Sequence, residues 1–117
     1  RKQLEVIDEI ELLGSGNGTS QSSYYCLSVI LKDTSAARRA DIIRSLNGQG
    51  IGTSVYYPKP VPHMAYYREM YGYTDRDFPV ASRISYQSIA LPVGPHLTED
   101  DMAYIATCLK KAIREVQ

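Results

Sequence analysis

Three prolines fall within five residues at Pro58-Lys59-Pro60-Val61-Pro62, and no other stretch limits the chain so strongly. Each proline fixes its own φ, brings no N–H to a ladder or helix interior, and biases the residue before it toward extended backbone. The segment therefore reads as an extended, semi-rigid strap. Regular structure can approach it from either side but cannot run through it.

Ahead of the strap, residues 24–31 (YYCLSVIL) are rich in β-formers and almost wholly apolar, which predicts a buried central strand. A helix follows. Asp33, Thr34 or Ser35 can cap its first N–H groups, and Gly48 is placed to supply a left-handed ending. Ala36, Ala40, Ile43 and Leu46 fall near helical spacing and predict its apolar face. Residues 51–57 predict a second strand that the prolines stop. Residues 4–13 mix apolar and acidic side chains without a clean period, so helix tail, strand and linker all stay open. Residues 14–23 (GSGNGTSQSS) are small and polar and read as a loop.

Beyond the strap, residues 64–71 suit a short helix. Pro79 suits the first turn of another, with Asp77 before it as a cap and Ala81, Ile84, Ser85 and Ser88 along one face. Residues 89–92 (IALP) are brief enough for an edge strand. The last element is the most fully specified: Thr98 with Asp101 forms a capping-box pattern, and Glu99 and Asp100 suit the positive end of a helix dipole. Met102, Ile105, Ala106, Leu109, Ile113 and Val116 form its apolar stripe, and Lys110, Lys111 and Arg114 suit its negative end.

The expected fold class is α+β: a small mixed or antiparallel sheet of about three strands with helices packed on one face. Residues 1–23 are expected to form an N-terminal segment and flexible loop, and residues 24–117 one small domain. The second sheet face has little in the chain to cover it, so an exposed apolar sheet face is expected.

With 44% hydrophobic and 22% charged residues, the chain has the balance of an ordinary globular protein. Thirteen Lys and Arg offset thirteen Asp and Glu. Without a basic run there is no electrostatic basis for binding nucleic acid or an anionic membrane. No apolar stretch approaches the length of a membrane span. Cys26 and Cys108 lie far apart inside apolar patterns and read as two buried free thiols, which suits a reducing, cytoplasmic setting. The chain starts at Arg1 with no recognisable signal peptide, and reads as a piece of a larger polypeptide.

Gly14-Ser15-Gly16-Asn17-Gly18 invites comparison with a phosphate cradle, but such a loop needs a helix N-terminus after it. Here a polar loop and a strand follow, and a hairpin-type connection is expected. Asn17-Gly18-Thr19 matches a glycosylation sequon with no secretory context to give it meaning. His63 and His96 are too far apart to suggest a local metal pair; His96 should be solvated, whereas His63 ends the strap beside several tyrosines. Glu99, Asp100 and Asp101 are explained by the helix dipole. No nucleophile–base pair is legible. Ten tyrosines against one phenylalanine and no tryptophan is an unusual ratio. Tyrosine suits half-buried surfaces such as pockets and interfaces, though each ring could equally sit in the core with its hydroxyl at the rim. The tyrosines between positions 56 and 73, threaded by prolines, form the expected binding edge.

From Gly50 onward, GIGTSVYYPKPVPHMAYYREMYGY and then DFPVASRISYQSIALPVGPHLTEDDM resemble the C-terminal domain of the DegT/DnrJ/EryC1/StrS aminotransferases. That family carries a Gly-Ile-Gly turn, a small polar pair, His-Tyr-x-Pro, and a Tyr-Arg some ten residues on. A Phe-Pro-x-Ala helix start, a Leu-Pro strand and a Leu-Thr-Glu helix opening follow. The resemblance runs from about residue 24 to the end. It implies the small domain of a fold-type-I transaminase acting on nucleotide-linked keto sugars, commonly as a homodimer. The cofactor, pyridoxal phosphate, and the Schiff-base lysine belong to a large N-terminal domain. None of Lys2, Lys32, Lys59, Lys110 and Lys111 lies in the family's lysine context, so no catalytic or cofactor-binding residue is expected here. Relatives that replace the lysine leave a dehydratase-like or non-catalytic parent open, and a free-standing binding module is a further alternative. By position, Tyr56 stands where the family has histidine, with Tyr57 and Pro58 matching its Tyr and Pro. Tyr56 and Tyr57 are thereby expected at the substrate, with Lys59 and His63 as candidates for a phosphate. Tyr for His keeps a ring and a polar tip but loses a group that titrates near neutrality.

Overall fold

The computed structural model describes residues 1–14, 16 and 18–116. Ser15, in the glycine run, and Asn17, in the sequon, lie outside the described residues.

In chain order the elements are β1 (Ile10–Leu12), β2 (Leu27–Leu31), α1 (Ala36–Gly48), α2 (Ala65–Tyr71), α3 (Pro79–Gln87), β3 (Ser88–Leu91) and α4 (Glu99–Glu115), with a 3-10 turn at Val61–His63. The three strands form one antiparallel sheet in the order β1-β2-β3. The expected α+β class is therefore found, with β2 at the centre and β3 last in the order. Ile10 lies opposite Leu31, and Val29 opposite Ile89. Strand residues alternate between faces, so Ile10, Val29, Leu31, Ile89 and Leu91 share one side. That side meets Ile42 and Leu46 of α1 and Ile105, Leu109 and Ile113 of α4 in a single buried cluster, which Leu4 and Ile7 also join. Each such side chain, fully buried, contributes about 1.5–3 kcal/mol.

The α4 pattern is realised as read. Thr98 Oγ1 accepts from the Asp101 N–H, the Asp101 carboxylate accepts from the Thr98 N–H, and the apolar stripe is buried or packed against the core. Ser35 caps α1 by accepting from the Arg38 N–H. Pro79 opens α3 as expected, whereas Phe78, at φ 57, is the residue before it. Asp77 does not cap that helix; its carboxylate turns back to accept from the N–H and hydroxyl of Thr74.

Other expectations are corrected. Gly48 is the last helical residue of α1, and the left-handed turn comes at Gly50, φ 78. The buried face of α1 is Arg39, Ile42 and Leu46, while Ala36 and Ala40 are exposed. On that face Ile42 and Leu46 join the core, and Arg39 donates to the backbone carbonyls of Ser85 and Ser88. Residues 51–57 pair with β3 only at Ser54 and Ala90, through two hydrogen bonds of 3.1 and 2.8 Å. The turn at Gly50 and the strap hem this contact in from either end, and it does not grow into a strand. Cys26 is exposed and only Cys108 is buried, both free, because β2 begins at Leu27, one residue after Cys26.

Among the described residues no strand residue is exposed, so the expected bare sheet face is not found there. The second face carries Glu11, Ser28, Ile30, Ser88 and Ala90 by register. Ile30 is fully buried, and Arg83 of α3 reaches across to Glu11 at 2.7 Å. The pair holds the Glu11 carboxyl below its usual range, by the hydrogen bond first and the charge second. The loop between β1 and β2 makes a hairpin connection and closes on itself through a bridge between Gly16 and Gln21.

Candidate functional site

None of the ten tyrosines is buried. The question left open between core and surface is settled by tertiary packing: every ring faces outward at least in part. Tyr66, Tyr67, Tyr71, Tyr73 and Phe78 form a continuous chain of ring contacts with centroids 4.9–6.3 Å apart. The helix that carries three of them, α2, has no buried residue.

Of the four residues expected at the substrate, three stand on the strap or at its entry with surface to offer. Tyr56 and Tyr57 meet edge to face with centroids 5.9 Å apart, and their exposures are 49% and 72%. The peptide between them is cis. Lys59 is exposed and close enough to Asp75 for its charge to help lower that carboxyl. Tyr56 lines a cleft of about 260 Å³ with Tyr25, Cys26, Ser54 and Ala90 among its walls. The cleft exists because Ser54 is pinned beside β3, which carries Tyr56 past the end of β2 where Tyr25 and Cys26 lie.

His63 does not join them. Its side chain is 1% exposed, and Nε2 lies 3.0 Å from the carbonyl of Asp77. Arg68 Nε donates to the His63 carbonyl at 2.9 Å, and the same guanidinium pairs with Asp75. Asp75 is held below the usual carboxylate range, first by its hydrogen bond to Arg68 and then by that charge. A ring so enclosed cannot meet a phosphate. His63 instead ties the end of the strap to the α2–α3 connection, and the Tyr-Arg element supplies the tie through Arg68.

Tyr25, on the wall of the same cleft as Tyr56, was not among the residues expected there. The signal was there, an adjacent tyrosine pair at Tyr24-Tyr25, but the apolar run around it read as buried strand. A larger cleft of about 400 Å³ lies on the other side of Cys26, among Leu13, Tyr24, Leu27, Val93 and Met102, and contains none of the four expected residues. Among the described residues no group of three His, Cys, Asp or Glu side chains could hold a metal ion, and no helix is long and apolar enough to cross a membrane.

Against known proteins, the model of the DegT/DnrJ/EryC1/StrS aminotransferase family matches residues 1–110. The uncharacterized protein MJ1066 of Methanocaldococcus jannaschii is 36% identical over 77 residues, which is 66% of this chain and 20% of that protein. The erythromycin biosynthesis sensory transduction protein EryC1 of Saccharopolyspora erythraea is 32% identical over 72 residues, 62% of this chain and 19% of that protein. Among solved structures, the PLP-form of the putative sugar aminotransferase Spr1654 from Streptococcus pneumoniae superposes with a TM-score of 0.85 at 25% identity. That match covers 99% of this chain and 29% of the other. The matched segments span about a fifth of the length of these curated relatives.

Proposed function

The chain belongs to the DegT/DnrJ/EryC1/StrS aminotransferase family, and on that premise we propose that it is the small C-terminal domain of a pyridoxal-phosphate sugar aminotransferase. The observation that carries this reading is the superposition of nearly the whole chain on under a third of a putative sugar aminotransferase. The activity belongs to the intact polypeptide, a cytoplasmic homodimer that takes an amino group from a donor such as glutamate and gives it to a nucleotide-linked keto sugar.

This reading assigns no residue of the chain to the cofactor. Lys32 Nζ is tied to the carbonyl of Asp8, Lys111 pairs with Glu115, and no lysine lines the cleft beside Tyr56. On this reading the catalytic lysine and the cofactor belong to a large domain outside these residues, where the group would supply the electron sink that transamination needs. This chain contributes a wall. Tyr56 and Tyr57 present ring faces and hydroxyls to the substrate, and Lys59 offers a mobile cation to its diphosphate. Arg68, Asp75 and His63 hold the strap's far end so that these groups keep their places.

The test is amination of uridine- and thymidine-diphosphate keto sugars by the intact polypeptide with pyridoxal phosphate and glutamate, read by mass spectrometry. A gain of an amino group on the sugar supports the reading; a polypeptide that carries the lysine yet aminates none of them overturns it. Pyridoxal phosphate added to the 117-residue chain alone should give no specific imine absorbance, and a saturable imine band would place a catalytic lysine here after all.

A further inference from the structure

Two tyrosines 31 positions apart in sequence, Tyr25 just before β2 and Tyr56 just before the strap, line one small cleft. Its walls include the hydroxyl residues Thr53 and Ser54 and the small residues Gly52 and Ala90. Ser54 and Ala90 are locked together by their paired backbone hydrogen bonds, so that part of the floor is fixed. No charged side chain lines it. Tyr25 is 84% exposed, the most exposed large apolar side chain among the described residues. A ring left so bare at the mouth of a preformed cleft has apolar area available to a ligand.

From this juxtaposition we propose that the Tyr25–Tyr56 cleft receives the neutral sugar ring of the nucleotide-linked substrate, with Tyr25 as a further binding residue. The inference rests on the reading given above and assigns parts of the substrate within it. Size is the first argument. About 260 Å³ falls below the roughly 300–1,000 Å³ typical of a drug-sized ligand's pocket, a space matched to one ring of the substrate. Charge is the second: a diphosphate in a cleft without cations would lose its hydration for nothing, whereas Lys59 stands outside on the strap. Chemistry is the third. A pyranose shows C–H faces that pack on aromatic rings and hydroxyls that pair with Ser, Thr and Tyr groups, which is the lining found.

The experiment uses tyrosine-ring 13C signals of the intact polypeptide, titrated with UDP-glucose, UDP and glucose, together with the kinetics of Tyr25→Ala and Tyr25→Phe in the same polypeptide. UDP-glucose should shift the Tyr25 and Tyr56 rings together, and UDP alone should leave Tyr25 still. Tyr25→Ala should raise KM for the nucleotide sugar roughly three- to tenfold with KM for glutamate unchanged, and Tyr25→Phe, which keeps the ring face, should restore most of it. Thermal stability of both variants should match the parent because Tyr25 is so exposed. A nucleotide sugar that is aminated while Tyr25→Ala leaves its KM unchanged and the Tyr25 ring stays silent overturns the cleft assignment alone. Equal shifts at Tyr25 from UDP and UDP-glucose would move the nucleotide, not the sugar, into the cleft and overturn it as well. If no nucleotide sugar is aminated, the underlying reading falls and this inference with it.

Discussion

The guanidinium of Arg38 on α1 donates from Nε to the backbone carbonyl of Val116 at 2.8 Å, closing the end of α4 from 78 positions away. Its Nη2 donates to the Ile113 carbonyl at 2.8 Å and its Nη1 to Thr34 Oγ1 at 3.2 Å. The last carbonyls of a helix lack intrahelical partners and sit at the negative end of its dipole, so a cation there answers both needs. Arg38→Ala should destabilise the fold by about 1–3 kcal/mol. Arg38→Lys should recover only part, since an ammonium cannot span the same fork of acceptors. Urea unfolding with an unchanged m-value checks it.

Arg39, one residue on, works differently. It is buried, its burial pushes its pKa below the usual arginine range, and it donates to the carbonyls of Ser85 and Ser88. Arg39→Ala removes a donor from buried carbonyls and leaves a void, at about 2–4 kcal/mol. Arg39→Met keeps the stem's packing and should lose less. Equal losses for the two would show that packing contributes nothing.

Leu109 is fully buried in the cluster between sheet and helices, while Val80 on α3 is 64% exposed. Leu109→Ala should cost about 2–5 kcal/mol, and Val80→Ala should stay within about 0.5 kcal/mol. Thermal melts of both, side by side, test where the core lies.

Acid should weaken the fold through named carboxylates. Asp101 is held low by the N–H and hydroxyl of Thr98, Asp77 by those of Thr74, and Glu11 by Arg83. A carboxyl whose folded pKa lies below its unfolded value, about 4, contributes fully above that value. The contribution fades as pH falls through the lowered folded pKa. Stability should therefore drop below about pH 4. Thr98→Ala should lower stability at neutral pH by about 1 kcal/mol and flatten the acid limb, measured as the urea midpoint against pH. An acid limb unchanged by Thr98→Ala would remove Asp101 from the account.

For the proposed activity, Lys59→Ala in the intact polypeptide should raise KM for the nucleotide sugar several-fold, more at low salt than at high, because an exposed cation acts through a screened field. KM for glutamate should not move. A salt-independent effect would indicate that Lys59 acts by shape instead of charge.

Much of the fold was legible because its rules are local. The proline strap, the Pro79 helix start, the Thr98–Asp101 box and the α4 stripe depend on residues within about a turn of one another. Strand β2 announced itself by composition, although its first three expected residues, Tyr24, Tyr25 and Cys26, lie outside it. The candidate site was legible in outline from the tyrosines threaded by prolines at positions 56 to 73, and the resemblance narrowed it to Tyr56, Tyr57, Lys59 and His63. Nothing in the local sequence around His63 says that its ring is enclosed by the α2–α3 connection.

By itself, then, the sequence determined the helices, the strap and most of β2, because backbone propensity and capping are settled among near neighbours. Strand β1 and the failure of residues 51–57 to form a strand were decided instead by pairing across the fold. Tertiary structure alone decided that Arg39 turns inward to acceptors 46 and 49 positions away and that Arg38 closes α4. It also decided that Tyr25 meets Tyr56 across one cleft while His63 does not. Those outcomes turn on which distant backbone groups and surfaces come together when the sheet and helices pack. Periodicity carries no record of them, since a side chain's partner across the fold leaves no mark on the spacing of its own segment.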